Sequence, residues 1–148
     1  MFKHILLPTD GSKLSGEGVR QTIKMAKALG AHITAVHIVR AFHPLREEGY
    51  FMPEVSALRK QFEDETATHA EEVLSPVKEA ANKLGVKCDT VVATGDSPSQ
   101  MIIKQARKSR CDLIMMASHG RKGLQRLLHG SETENVLTHS TIPVLVVR

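Results

Sequence analysis

Apolar positions along this chain follow two alternating rhythms. Short runs of consecutive apolar or β-branched residues recur at 4–9 (HILLPT), 32–39 (HITAVHIV), 87–93 (KCDTVVA), 113–117 (LIMMA) and 143–147 (PVLVV). Runs of this length, bounded by turn-forming residues, predict strands. The first stops at Pro8 and the turn sequence Asp10-Gly11-Ser12. Between the runs the apolar spacing stretches to the helical period. Leu14, Val19, Ile23, Ala26 and Leu29 predict a helix over 12–29, closed by Gly30. Residues 54–84 read as a second helix, which Pro76 is expected to bend or split at Ser75. Ser97-Pro98-Ser99-Gln100 resembles a capping box with proline at the first helical position, opening a third helix to about Lys108. Ser131-Glu132-Thr133-Glu134 opens a last one. Residues 40–53 break the rhythm with two prolines and a glycine, and read as an irregular excursion.

Strands that are apolar throughout and separated by helices imply a parallel sheet covered on both faces. With right-handed crossovers this is a doubly wound, Rossmann-like or flavodoxin-like α/β fold. Such sheets bind ligands at the carboxyl ends of strands where the winding reverses. In a 3-2-1-4-5 order that crevice opens just after Thr9 and just after Met116. The chain has 148 residues, which predicts one domain over 1–148. Hydrophobic residues are 41% and charged residues 24%, enough for a packed core.

Charge and composition narrow the partners. A net charge of +4 suits an anionic small ligand without demanding a polyanion. Aromatics are scarce (Phe2, Phe42, Tyr50, Phe51, Phe62, no Trp), so a base-stacking nucleic-acid platform is not expected. Cys88 and Cys111 stand apart, with no CxxC and no cysteine-histidine cluster, which argues against a disulfide scaffold or a zinc site. MFKHILLPTDGS lacks the long apolar core of a signal peptide, and no run approaches the ~18 apolar residues of a membrane span. A cytoplasmic protein without membrane contact is expected.

Candidate chemistry gathers at the predicted crevice. Asp10, at the end of the first strand, either accepts from a ribose hydroxyl or base amino group, helps hold a metal ion, or with Ser12 caps the next helix. After the fourth strand come Ser118-His119-Gly120-Arg121-Lys122-Gly123, and Gly130-Ser131 follows seven residues later. Glycines admit an anion to backbone N–H groups, and a helix N-terminus favours negative charge. The same residues also suit a turn, a capping box and a solvated basic face. Other motifs fail. Gly11–Gly16 has P-loop spacing but is followed by Glu17-Gly18, and no GxGxxG follows the first strand. Ser118 lacks a GxSxG elbow, and the eight histidines contain no HExxH.

ILLPTDGS, VHIV, TGDSPSQMI and MMASHGRKGLQRLLHGSETENVLTHSTIPVLVVR together resemble the universal stress protein family over the whole chain except about 40–70. The resemblance implies a five-stranded 3-2-1-4-5 sheet and a homodimer, joined by pairing of the last strands, here Pro143 to Val147. One branch binds ATP through G-x2-G-x9-G-[ST]. The second and third glycines fall on Gly120 and Gly130, with Ser131 after them, and the first falls on Ala117, whose methyl would crowd a ligand packed against that backbone. Carried over, Pro8, Thr9 and Asp10 line the adenosine side, Ile38 touches adenine and Met116 floors the pocket. Gly120, Gly130, Ser131, Glu132 and Thr133 hold ribose and phosphates; Ser118 and His119 lie beside them, and Gly95 approaches the nucleotide. ATP, or AMP or ADP, is the implied ligand, with Mg²⁺ as its companion. The leading expectation is a nucleotide-binding stress protein. Two alternatives stand beside it: a slow Mg-dependent ATPase or phosphotransferase using Asp10, and an interaction protein whose pocket is vestigial.

Overall fold

A computed structural model describes residues 1–43, 52–117 and 132–147. Its elements run β1 (His4–Pro8), α1 (Lys13–Leu29), β2 (His32–Val39), α2 (Met52–Lys83), β3 (Cys88–Thr94), α3 (Pro98–Lys108), β4 (Leu113–Ala117), α4 (Glu132–His139) and β5 (Val144–Val147). The five strands form one sheet of order β3-β2-β1-β4-β5. Every pairing is parallel, with Ile5 opposite Ile33 on one side of β1 and opposite Leu113 on the other.

Side-chain alternation divides the core into two layers. Ile5, Leu7, Ile33, Ala35, Leu113 and Met115 face α1 and α2, where Ile23, Ala26, Leu74, Val77 and Ala81 complete one cluster. Leu6, Val36, Ile114 and Met116 face the other way, onto Ile102, Ile103 and Ala106 of α3 and Val136 of α4. The helices therefore change sides between β3 and β4, which puts the winding reversal between β1 and β4.

Local chemistry explains most element ends. Ser12 caps α1 by accepting from the Ser15 N–H, and Gly30 closes that helix at φ 61°, a left-handed conformation that suits glycine. Two details differ from expectation. Pro76 does not split α2, which runs unbroken from Met52 to Lys83. A proline inside a helix costs about 3 kcal/mol or more. Here Leu74 before it, and Val77 and Ala81 after it, are buried in the core cluster on the sheet and hold both halves in one line. The second difference is at α3: Ser97 occupies the N-cap but makes no side-chain capping bond. The Ser99 N–H is instead taken by the Glu132 carboxylate at 2.7 Å, across 33 residues of sequence. Proline at the start of α3 is as expected.

Candidate functional site

β1 ends in a turn built from hydroxyls. The buried Thr9 donates its N–H to the Val36 carbonyl at 3.0 Å, extending the β1–β2 ladder past Pro8. Its hydroxyl donates to Ser15 Oγ at 3.1 Å and accepts from the Gly11 N–H at 3.3 Å. Gly11 adopts φ +78°, and a Cβ there would come within 2.9 Å of Val73 Cγ2. Glycine is needed both for the turn and for the close approach of α2. Asp10 Oδ1 accepts from the Ser12 N–H at 2.9 Å. Partial burial pushes the Asp10 carboxyl up, but hydrogen bonds from Ser12 and Ser15 outweigh it and hold the group below the usual carboxylate range. It is an anion at neutral pH.

Beyond this turn lies a cavity of about 350 Å³ at the carboxyl ends of β1, β2 and β4. That is within the usual range for small-molecule sites. Pro8, Thr9 and Asp10 line it from β1, Ile38 from β2, Met116 and Ala117 from β4, and Glu132 and Thr133 from α4. Sequence reasoning took Ser12 only as a cap for α1 and missed Ser15 of α1, Val36 and His37 of β2, and Pro98 and Ile102 of α3. The α3 pair was accessible in principle, because a helix leaving β3 on the far face must start beside this crevice. His37 is buried, and its Nδ1 lies 3.0 Å from the Thr9 carbonyl. A carbonyl only accepts, so Nδ1 carries the proton and its bond pins the β1 turn to β2.

Three further predictions sort differently. Gly95 is not on the cavity wall; its N–H donates to the Val39 carbonyl, and a Cβ would meet Met101 Sδ at 2.6 Å. Ala117, which stands where the nucleotide motif has glycine, directs its methyl at α1. A Cβ built on Gly18 would lie only 2.7 Å from it. The extra methyl of β4 is thus housed by a missing one on α1. Ser118, His119, Gly120, Gly130 and Ser131 lie outside the described residues.

The wall is apolar along Val36, Ile38, Ile102 and Met116, and oxygen-rich around Thr9, Asp10, Ser12 and Ser15. Among the described residues no trio of His, Cys, Asp and Glu could hold a metal, and no helix is long and apolar enough to cross a membrane.

A doubly wound parallel sheet with a cavity at its winding reversal defines a class of small-ligand-binding α/β proteins. Within that class the family is resolved: the model of the universal stress protein family matches residues 1–148, and the chain belongs to that family. Universal stress protein MJ0531 of Methanocaldococcus jannaschii is 36% identical over the whole of this chain and 83% of its own. The solved structure of MJ0577, also from that organism by its sequence relative, superposes with a TM-score of 0.78 at 28% identity, covering 99% of this chain and 96% of the other. A universal stress protein solved in complex with cAMP has the same fold, with a TM-score of 0.75 at 20% identity over 99% and 97% of the two chains.

Proposed function

We propose that this chain binds an adenine nucleotide in the β1/β4 crevice. The observation that carries the reading is the two-part wall of the 350 Å³ cavity. Its apolar strip, from Ile38 to Met116, suits a flat base. Its hydroxyl and carboxylate end, at Thr9 and Asp10, suits a ribose whose hydroxyls donate to an ionised acid. The family's cAMP complex supports the same ligand class. Phosphates fall to the segment that carries Gly120, Gly130 and Ser131, as the sequence motif implies. Mg²⁺ would enter on those phosphates with Asp10 as a protein carboxylate, the usual manner of this hard cation.

Binding rather than turnover is the role assigned. Asp10 Oδ1 and His37 Nδ1 each bond within the β1 turn, to the Ser12 N–H and the Thr9 carbonyl, and so shape the wall against which a ligand would lie. The last strand, β5, offers an apolar edge for a second copy, and the reading includes a homodimer formed there.

Thermal unfolding with and without ~1 mM Mg-ATP, after stripping co-purified nucleotide, tests the proposal. A dissociation constant on the order of 10 μM adds about 2.7 kcal/mol, a rise in midpoint of roughly 5–10 °C for a domain of this size. The shift should persist in Ala117→Gly, because the methyl is housed against Gly18. No shift with ATP, ADP, AMP or adenosine would transfer the chain to the interaction-protein reading. Phosphate release followed over hours would separate slow hydrolysis from binding alone.

A further inference from the structure

Glu132 is the first residue of α4, yet its carboxylate is engaged on another helix. Oε2 accepts from the Ser99 N–H at 2.7 Å, and Ser99 is the second residue of α3. The opening N–H groups of a helix have no intrahelical acceptor and carry its positive end. At α3 the expected local cap, Ser97, leaves them alone, and Glu132 supplies the anion. This happens on the cavity wall itself, since Pro98, Ile102 and Glu132 all line it. Asp10 is the second carboxylate on that wall, and no lysine or arginine stands among the described lining residues. A ligand phosphate that runs along this wall therefore meets two negative groups. The Ser99 amide of α3 is not open to it, because an internal carboxylate already holds that N–H.

We propose that Glu132 is a specificity-determining residue that biases the cavity toward adenine ligands of low charge, a nucleoside or nucleoside monophosphate, over the free triphosphate. The inference rests on the adenine-nucleotide reading of this site and decides which member of that class is preferred. The apolar strip and the Thr9 turn act on base and ribose, which are neutral, so Glu132 discriminates through the phosphates only.

The test is Glu132→Gln, which retains a side-chain oxygen for the Ser99 N–H and removes the charge. Calorimetric titration with adenosine, AMP and ATP is carried out on both proteins at ~50 mM salt with EDTA. Adenosine, which carries no phosphate, supplies the reference affinity for each protein. ATP should bind the variant roughly 3–10-fold more tightly than the wild type, with a smaller gain for AMP. This is the scale of a like-charge contact near 4 Å in water, about 1 kcal/mol or fivefold. The gain should shrink at ~0.5 M salt, where the screening length falls to about 4 Å. Any charge carried by residues outside the described ones is the same in both proteins and cancels from the ratio. In the wild type, Mg²⁺ should tighten ATP and leave adenosine unchanged. If adenosine binds but the ATP-to-adenosine ratio is the same in both proteins, the role of Glu132 is overturned while the site reading stands. If the wild type binds none of the three, the site reading itself falls. Should Glu132→Gln fail to fold, Glu132→Ser removes the same charge and must show the same ratio change.

Discussion

Gly16 and Gly18 lie two residues apart in α1, and the structure predicts that the same substitution at each has opposite effects. Alanine in a helix is better than glycine by about 0.5–1 kcal/mol, because it restricts the unfolded chain more. At Gly16 a new methyl meets nothing within 4 Å, so Gly16→Ala should realise that gain. At Gly18 the methyl would lie 2.7 Å from Ala117 Cβ and 3.4 Å from Ala117 Cα. Ordinary carbon–carbon contact is about 3.5–4.0 Å. Both atoms are fixed directly to backbone, so relief requires α1 and β4 to move apart. Overpacking of this kind costs roughly 1–3 kcal/mol. Net of the propensity gain, Gly18→Ala should lose about 1–2 kcal/mol. The separation between the two variants should then be about 2–3 kcal/mol. Urea unfolding followed by far-ultraviolet circular dichroism reads this directly, and the absence of Trp makes it preferable to fluorescence. In Ala117→Gly/Gly18→Ala the clash vanishes, and the coupling energy of the cycle should be about 1–3 kcal/mol. A Gly18→Ala protein as stable as Gly16→Ala would refute the packing of α1 on β4, and with it the account of how Ala117 is accommodated beside the cavity.

Three other outcomes follow from the framework around the site. His4 stacks on His32 with ring centroids 3.5 Å apart and shares a 2.7 Å hydrogen bond with Thr34 Oγ1. Burial and the neighbouring His32 lower its pKa against the opposing pull of Asp112 and Asp89, with Lys87 adding to the lowering. The unfolded chain thus takes up this proton first, so stability contributed by neutral His4 is complete above about pH 6.5 and falls as pH drops below it. Urea midpoints measured between pH 7.5 and 5.5 should decline, and His4→Gln should flatten that slope. Burial also pushes the Cys111 thiol up to about 12 and raises Cys88; native protein at pH 8 should leave an aromatic disulfide reagent unreacted and yield both thiols only when denatured, whereas rapid native labelling would contradict their burial. Arg110 follows α3 at φ 55°, a conformation that costs a side-chain-bearing residue roughly 1–2 kcal/mol. Arg110→Gly should raise the thermal midpoint by about 2–4 °C, and an unchanged midpoint would mean that Arg110 gains an offsetting contact.

Periodicity and turn chemistry act between residues that are close in sequence, and what depends on them alone was legible before any coordinates. The apolar run Leu113–Ala117 has the bounds of β4 in the structure, and Gly30 ends α1 as its position foretold. Apolar strands alternating with helices, joined by right-handed crossovers, lead to a doubly wound parallel sheet, and the family resemblance supplied its 3-2-1-4-5 order. That order in turn marks the ends of β1 and β4 as the crevice. Interactions across the fold were not legible, because their partners are set by three-dimensional packing. The local capping signal at Ser97 was a reasonable reading, but a carboxylate 33 residues away takes the helix end. The break expected at Pro76 does not occur, because core contacts on both sides outweigh one lost hydrogen bond. Nothing near Ala117 in sequence reveals that its methyl fits against Gly18, nor does the chain around His37 point to the Thr9 carbonyl. The sequence by itself determined the strands, the helices and the doubly wound class, and its family resemblance where the sheet would open; tertiary packing decided which charges and contours line the opening.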